Sequence, residues 1–182
     1  DQRAVVIGTD IYLFSGNTKN GIYHRVLKFD TLLEQIIDLG VDNGYNFSSI
    51  TTDGTDIYLI GDVAADAIFK YTVSTNSFNT ITFSPSFQIT GTEICYVNGK
   101  VYMIGGDVDG NSDGIFEVDV LTGDVTQWDL YLESGMMNLK CCAFGDFIYF
   151  VGKATNPMNK LLLLDTINKN ILEVGYNLRH QD

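Results

Sequence analysis

The feature that most constrains this chain is a short apolar cluster that returns four times: Ile11-Tyr12-Leu13-Phe14, Ile57-Tyr58-Leu59-Ile60, Val101-Tyr102-Met103-Ile104 and Ile148-Tyr149-Phe150-Val151. Its tyrosines recur 46, 44 and 47 residues apart. Turn-forming residues precede each copy: Gly8-Thr9-Asp10, Gly54-Thr55-Asp56, Asn98-Gly99-Lys100 and Gly145-Asp146-Phe147. Glycine follows each one, at Gly16, Gly61, Gly105-Gly106 and Gly152. Short β-branched and aromatic runs between such residues form hairpins. A unit repeated at this period buries its apolar face by stacking on the next unit.

Three more β-prone segments keep register with the tyrosine. Ahead of it lie Ala4 to Ile7, Ser49 to Thr52, Ile94 to Val97 and Cys141 to Phe144. Behind it come Val26-Leu27-Lys28-Phe29-Asp30, Ile68-Phe69-Lys70-Tyr71-Thr72, Ile115-Phe116-Glu117-Val118-Asp119 and Leu161-Leu162-Leu163-Leu164-Asp165. Six and nine residues past the last position of each stand Ile36/Leu39, Phe78/Ile81, Val125/Trp128 and Ile171/Val174. A helical solenoid would need apolar residues at i, i+3, i+4 and i+7, which these short runs lack. The expected fold is therefore all-β, a β-propeller of four four-stranded blades spanning about 1–45, 46–89, 90–135 and 136–176. The repeated tyrosine is expected between neighbouring sheets, where its ring fills space and its hydroxyl finds a polar partner.

The chain resembles the kelch-repeat family, in which the second strand ends in Gly-Gly, the third carries an aromatic then Asp, and a Trp follows six residues later. Gly105-Gly106 keeps the doublet and Phe29-Asp30 the aromatic-acid pair. Tyr71-Thr72 keeps the aromatic, and Val118-Asp119 and Leu164-Asp165 keep the acid. Ile36, Phe78, Val125 and Ile171 occupy the Trp position, and the only Trp stands three places later at Trp128. Kelch propellers usually carry six or seven blades. Asn177-Leu178-Arg179 echoes Asn138-Leu139-Lys140, so 177–182 is expected to begin a further inner strand of a larger or assembled propeller. The family's use in ubiquitin-ligase adaptors, actin crosslinkers and assembly factors implies a non-enzymatic scaffold that binds a protein partner through its loops. The resemblance also admits a carbohydrate-active or oxidoreductase propeller, or a structural subunit whose blades complete a larger assembly by self-association.

With 182 residues, 45% of them hydrophobic, the chain can bury the core of one domain. A formal charge of −12 repels phosphate backbones and anionic headgroups, which argues against nucleic acid or a membrane surface as partner. No apolar run approaches the roughly 20 residues of a membrane helix, and the opening DQRAVVIGTD lacks the form of a signal peptide. Cys95, Cys141 and Cys142 are odd in number and lack metal-ligand spacing, so a reducing, cytoplasmic setting is expected. Cys95 and Cys142 fall at matching places and read as small half-buried packing residues. Asn46-Phe47-Ser48 fits the glycosylation pattern, which would require a secreted context.

The connections between second and third strands are expected to gather on one face, and Asn17, Lys19, Asp62, Asp66, Asp107, Asp109, Asp113 and Asn156 are the expected partner-binding residues. Tyr45, Phe87 and Tyr131 in the interblade links could anchor a partner. In GGDVDGNSDG, Asp107, Asp109, Asn111 and Asp113 occupy alternate positions that suit calcium. Ser112 and Val118 stand where an EF-hand needs Gly and Glu, so that motif is excluded; a shorter calcium loop and a solvated turn both remain. His24 and His180 have no Ser or Cys partner at catalytic spacing and read as solvated surface, so no catalytic set and no other cofactor is expected.

Overall fold

A computed structural model describes residues 2–18, 21–42, 44–61, 66–106, 113–132, 137–153 and 160–174. They form sixteen strands in four antiparallel sheets, each taken up in chain order. The first sheet is β1 (Arg3–Ile7), β2 (Asp10–Thr18), β3 (Gly21–Asp30) and β4 (Gln35–Asp42). The second is β5 (Phe47–Thr52), β6 (Ile57–Gly61), β7 (Ala67–Thr72) and β8 (Ser77–Thr82). The third is β9 (Glu93–Val97), β10 (Lys100–Ile104), β11 (Gly114–Asp119) and β12 (Val125–Tyr131). The fourth is β13 (Met137–Phe144), β14 (Phe147–Lys153), β15 (Lys160–Asp165) and β16 (Asn170–Glu173). These are the four blades of a β-propeller, with the expected register.

The hairpins follow from the turn residues. Gly8, Gly54, Gly99 and Gly145 all have positive φ in the turns after β1, β5, β9 and β13, a conformation that costs glycine nothing. The acid that ends the third strand caps the next turn. Asp30 Oδ1 accepts the amides of Leu32 and Leu33, Asp119 Oδ1 those of Leu121 and Thr122, and Asp165 Oδ1 those of Ile167 and Asn168. Blade two has Thr72 there; its turn is a short 3-10 segment, Val73–Thr75, without a side-chain cap. Thus the acid of the repeat is a structural cap.

Inner strands run side by side, β1 against β5, β5 against β9 and β9 against β13. Three apolar clusters fill the gaps. Tyr12, Phe14 and Val26 meet Ile57, Leu59 and Tyr71 between the first two blades. Tyr58, Ile60 and Ile68 meet Val101, Met103 and Val118 in the second gap, and Tyr102, Ile104 and Ile115 meet Ile148, Phe150 and Leu164 in the third. Among the described residues no such cluster joins blade four back to blade one.

The repeated tyrosine packs as expected in three blades. Tyr58 stacks on Tyr96 of the next blade with ring centroids 5.4 Å apart, and its hydroxyl donates to Asp53 Oδ2 at 2.9 Å. Burial, followed by that hydrogen bond to a carboxylate, raises its pKa. Tyr149, in the last blade, is only half-buried. Trp128 is buried edge-on against Tyr102 and its Nε1 donates to Glu117 Oε2 at 3.1 Å.

Two expectations need correction. His24 lies inside β3 and is half-buried, with a buried Nδ1 that has no hydrogen-bond partner, because β3 starts earlier than its apolar run suggests. Cys142 is exposed while its repeat counterpart Cys95 is buried, since Cys142 faces away from blade three. His180 lies outside the described residues.

Candidate functional site

In an antiparallel sheet taken up in chain order, successive connections alternate between the two ends. The hairpin turns after the first and third strands therefore share one end of the disc. The connections after the second strands share the other end with the interblade links. Equal positions of neighbouring inner strands lie side by side, so the ends coincide around the arc. Ile94 N donates to Ser49 Oγ at 3.1 Å, Tyr96 N to Thr51 Oγ1 at 2.9 Å, and Asn98 Nδ2 reaches Asp146 Oδ1 at 2.6 Å.

The turn end is clipped in every blade. Thr31 Oγ1 donates to the Thr9 carbonyl at 2.8 Å, and Val73 N to Asp56 Oδ1 at 3.3 Å. Val120 N bonds the Gly99 carbonyl at 3.3 Å, and Thr166 N the Asp146 carbonyl at 3.1 Å. Short turns fixed to one another form a rigid floor.

The loop end is built differently. Its second-to-third-strand connections are unequal, from two residues after β2 to nine after β10, and two interblade links are tied to their bases: Phe83 N donates to the Asp66 carbonyl at 3.1 Å, and Leu132 N to the Asp113 carbonyl at 2.8 Å. Asp66 is exposed and Asp113 half-buried, so both expected partner residues sit at the roots of loops. The backbone of Asn17 pairs with Ile22 one pair before the end of the β2–β3 hairpin. Lys19, Asp62, Asp107, Asp109, Asn111 and Asn156 lie outside the described residues, so of the calcium-type set only Asp113 has a described position. Among the described residues no three His, Cys, Asp or Glu side chains converge as a metal site.

The link aromatics take different roles. Tyr45 is exposed with its ring 4.6 Å from Phe69, and Tyr131 is exposed. Phe87 is half-buried, stacked between Phe83 and Phe116 at 4.9 and 5.1 Å, and so belongs to the interblade packing.

At the centre of the loop end is a set that the expected site residues did not include. Arg3, Ser49, Glu93 and Lys140 each stand nine residues before the repeated tyrosine, so each inner strand contributes one. With Gln2, Ala4 and Ile50 they line a recess of about 230 Å³. Glu93 is its hub: Oε2 accepts Ser49 Oγ at 2.8 Å and Oε1 accepts the Lys140 ammonium. Arg3 Nε is buried without a hydrogen-bond partner, which leaves a cation at the rim with donor capacity to spare. Side by side, the four chemistries offer a place for one acidic or amide group. The constant offset from the tyrosine was the sequence signal for this set.

Behind the rim, the thiols of Cys95 and Cys141 meet across the third interface, Sγ to Sγ 3.0 Å, and Cys141 also donates to the Ile94 carbonyl at 3.5 Å. The Cys95 thiol beside it, then burial, push the Cys141 pKa upward, so it stays a thiol at neutral pH.

No family model matches the chain, and no curated protein matches it. Among solved structures it is similar to that of YjhT, with 13% identity and a TM-score of 0.68. The match covers 85% of this chain and 59% of YjhT, so the chain spans less than two thirds of that neighbour's length. At this identity the likeness bears on the fold alone. Among the described residues no helix is long and apolar enough to cross a membrane.

Proposed function

We propose that the chain is a non-enzymatic, kelch-type interaction module that holds a protein partner on the loop end of its blades, in a cytoplasmic setting. The observation that carries this reading is the contrast between the two ends. A floor of turns clipped together in all four blades supports unequal connections on the opposite side. Rigid sheets that hold variable loops in fixed positions are a physical basis for recognition.

In this reading Asn17, Lys19, Asp62, Asp66, Asp107, Asp109, Asp113 and Asn156 supply the polar rim, Tyr45 and Tyr131 the exposed anchors, and Arg3 receives an acidic or amide side chain at the centre. A recess of about 230 Å³ falls below the roughly 300–1,000 Å³ of small-molecule sites, which favours a single side chain over a free substrate. The net charge of −12 favours a basic or neutral partner.

The test captures partners with the intact protein and with two variants, each with and without a calcium chelator. One variant carries Asp107→Ala, Asp109→Ala and Asp113→Ala at the loop end. The other carries Leu32→Ser, Leu121→Ser and Ile167→Ser on exposed turn tips. Loss of a partner with the first and retention with the second is expected, and the reverse pattern refutes the reading. Loss on chelation as well as in the first variant would mean that calcium organises residues 107–113.

A further inference from the structure

Blades three and four belong to separate sheets whose inner strands, β9 and β13, lie side by side. Two thiols meet across this interface: Cys95 donates to Cys141 with the sulfurs 3.0 Å apart, and Cys141 donates in turn to the Ile94 carbonyl at 3.5 Å. The repeat explains why they face each other. In blade two the place of Cys95, seven residues before the repeated tyrosine, is held by Thr51, whose Oγ1 reaches across the second interface to accept the Tyr96 amide at 2.9 Å. That column therefore points at the next inner strand. In blade three it carries a thiol, and the strand it points at presents another, at a place held by Ala4, Ile50 and Ile94 in the other blades.

Cys95 is buried and Cys141 half-buried, and both belong to the apolar cluster of the third interface. Packed carbon atoms rest about 3.5–4.0 Å apart, and sulfur is larger than carbon. A separation of 3.0 Å is thus closer than packing alone sets. A disulfide holds its sulfurs about 2.05 Å apart, so the bond requires about 1 Å of closure between side chains already aimed at each other.

We propose that Cys95 and Cys141 are an oxidisable pair whose disulfide, formed under peroxide, staples blade three to blade four. The Cys141 sulfur, the more accessible of the two, attacks one oxygen of hydrogen peroxide as its thiolate. The O–O bond breaks, Cys141 becomes a sulfenic acid, and the other oxygen leaves as water with the proton the thiol gave up. The Cys95 sulfur then attacks the Cys141 sulfur; the S–O bond breaks, and the hydroxyl leaves with the Cys95 proton as a second water. Two electrons pass from the thiol pair to the peroxide, and no oxidant atom stays on the protein. The Cys95 thiol beside it, then burial, keep Cys141 protonated at neutral pH, so closure takes sustained peroxide. In a reducing setting the pair rests as two thiols. The staple lies directly behind the rim: Lys140 precedes Cys141, Glu93 stands two residues before Cys95, and those two charges already pair across the same interface. Closure fixes the spacing of that pair. It also joins residues 46 apart in the sequence, which restricts the unfolded chain. The staple requires no partner at the loop end.

The experiment treats the folded wild-type chain and a Cys142→Ser variant with hydrogen peroxide, blocks the remaining thiols with an alkylating reagent in urea, and maps the peptides by mass without reduction. A peptide pair joined through Cys95 and Cys141 of one chain is expected from both proteins, and dithiothreitol should release it. The oxidised Cys142→Ser protein should unfold in urea at a midpoint about 1 M higher than the same sample after dithiothreitol. That comparison separates the disulfide from any methionine oxidation, which dithiothreitol leaves in place. Cys95→Ala in the same background, or Cys141→Ala should the first fail to fold, is expected to lose the difference. Recovery of Cys95 and Cys141 from the oxidised folded chain as free thiols or as separate sulfinic acids overturns the proposal. So does a crosslink made through Cys142 in the wild type, a Cys95–Cys141 crosslink that forms only after unfolding, or a crosslinked chain whose midpoint equals that of its reduced form.

Discussion

The fourth residue after the end of each third strand adopts the left-handed conformation in every blade: Glu34 (φ 52°), Asn76 (φ 51°), Gly123 (φ 78°) and Lys169 (φ 52°). Substitutions in this column should change sign with the residue already present. A non-glycine residue there costs about 1–2 kcal/mol, and glycine returns about 0.5–1 kcal/mol of that through its freer unfolded chain. Glu34→Gly, on an exposed turn, should therefore stabilise by roughly 0.5–1 kcal/mol. Gly123→Ala incurs the same strain, and its new Cβ would stand 2.3 Å from the Thr82 carbonyl oxygen, which is backbone. The link after β8 is bonded to this turn, with Ser84 N donating to the Gly123 carbonyl at 2.9 Å and Val125 N to the Ser84 carbonyl at 2.8 Å. Relief of the overlap must move that link, at a further cost of about 1–3 kcal/mol, so the total loss is roughly 2–4 kcal/mol. Urea unfolding followed by the single Trp128, buried between blades three and four, reads both changes as shifts of midpoint at constant slope. A Gly123→Ala protein within about 0.5 kcal/mol of wild type, or a Glu34→Gly protein less stable than wild type, would refute the assignment of strain to this column.

Three further outcomes follow from the same structure. The Leu33, Leu121 and Asn168 amides, respectively, lead the interactions that hold Asp30, Asp119 and Asp165 below the ordinary carboxylate value of 3.8. A lowered folded pKa contributes stability above the unfolded value and loses it as pH falls through the folded one. Urea midpoints should thus hold from neutrality to about pH 5 and drop below about pH 4, more steeply than in an Asp30→Ala, Asp119→Ala, Asp165→Ala variant; equal slopes would count against the caps. Thr72→Asp should supply blade two with the cap it lacks and raise stability by about 0.5–1 kcal/mol, an expectation that an unchanged melting temperature would contradict. Alkylation of the native protein, mapped by peptide mass, should modify the exposed Cys142 first and spare Cys95 and Cys141 until unfolding; early labelling of Cys141 would mean that the third interface opens.

The blade count, strand order and register were legible because each rests on local chemistry. Turn glycines, β-branched runs and the capping acid recur at fixed offsets, and four copies correct one another's irregularities. Strand starts were read too short, as at β5 and β13, which begin at Phe47 and Met137. Their first residues lie beyond register shifts at Phe47/Ser49 and Met137/Lys140, where alternation breaks. His24 escaped for a related reason, since the stretch before Val26 in β3 has no simple alternation, and β3 itself shifts register between Arg25 and Leu27.

The inner rim was missed because its offset is constant while its chemistry is not. A search for similar residues finds tyrosines; Arg3, Ser49, Glu93 and Lys140 share only a position. A position on the axis of a repeat protein is where unlike residues are informative, because identical ones would place like charges side by side. Glu93 between Ser49 and Lys140 is the arrangement that avoids this. The outer face of blade four poses the opposite case among the described residues. Tyr149, Val151 and Leu161 have the same apolar character as the columns buried in blades one to three, so no local pattern separates a face that has a neighbour from one that lacks it. Cys142 shows the consequence: its position packs inward at Cys95 and stands exposed in blade four, although the two residues are chemically identical. Burial in a repeat array is thus a property of the neighbour as much as of the residue.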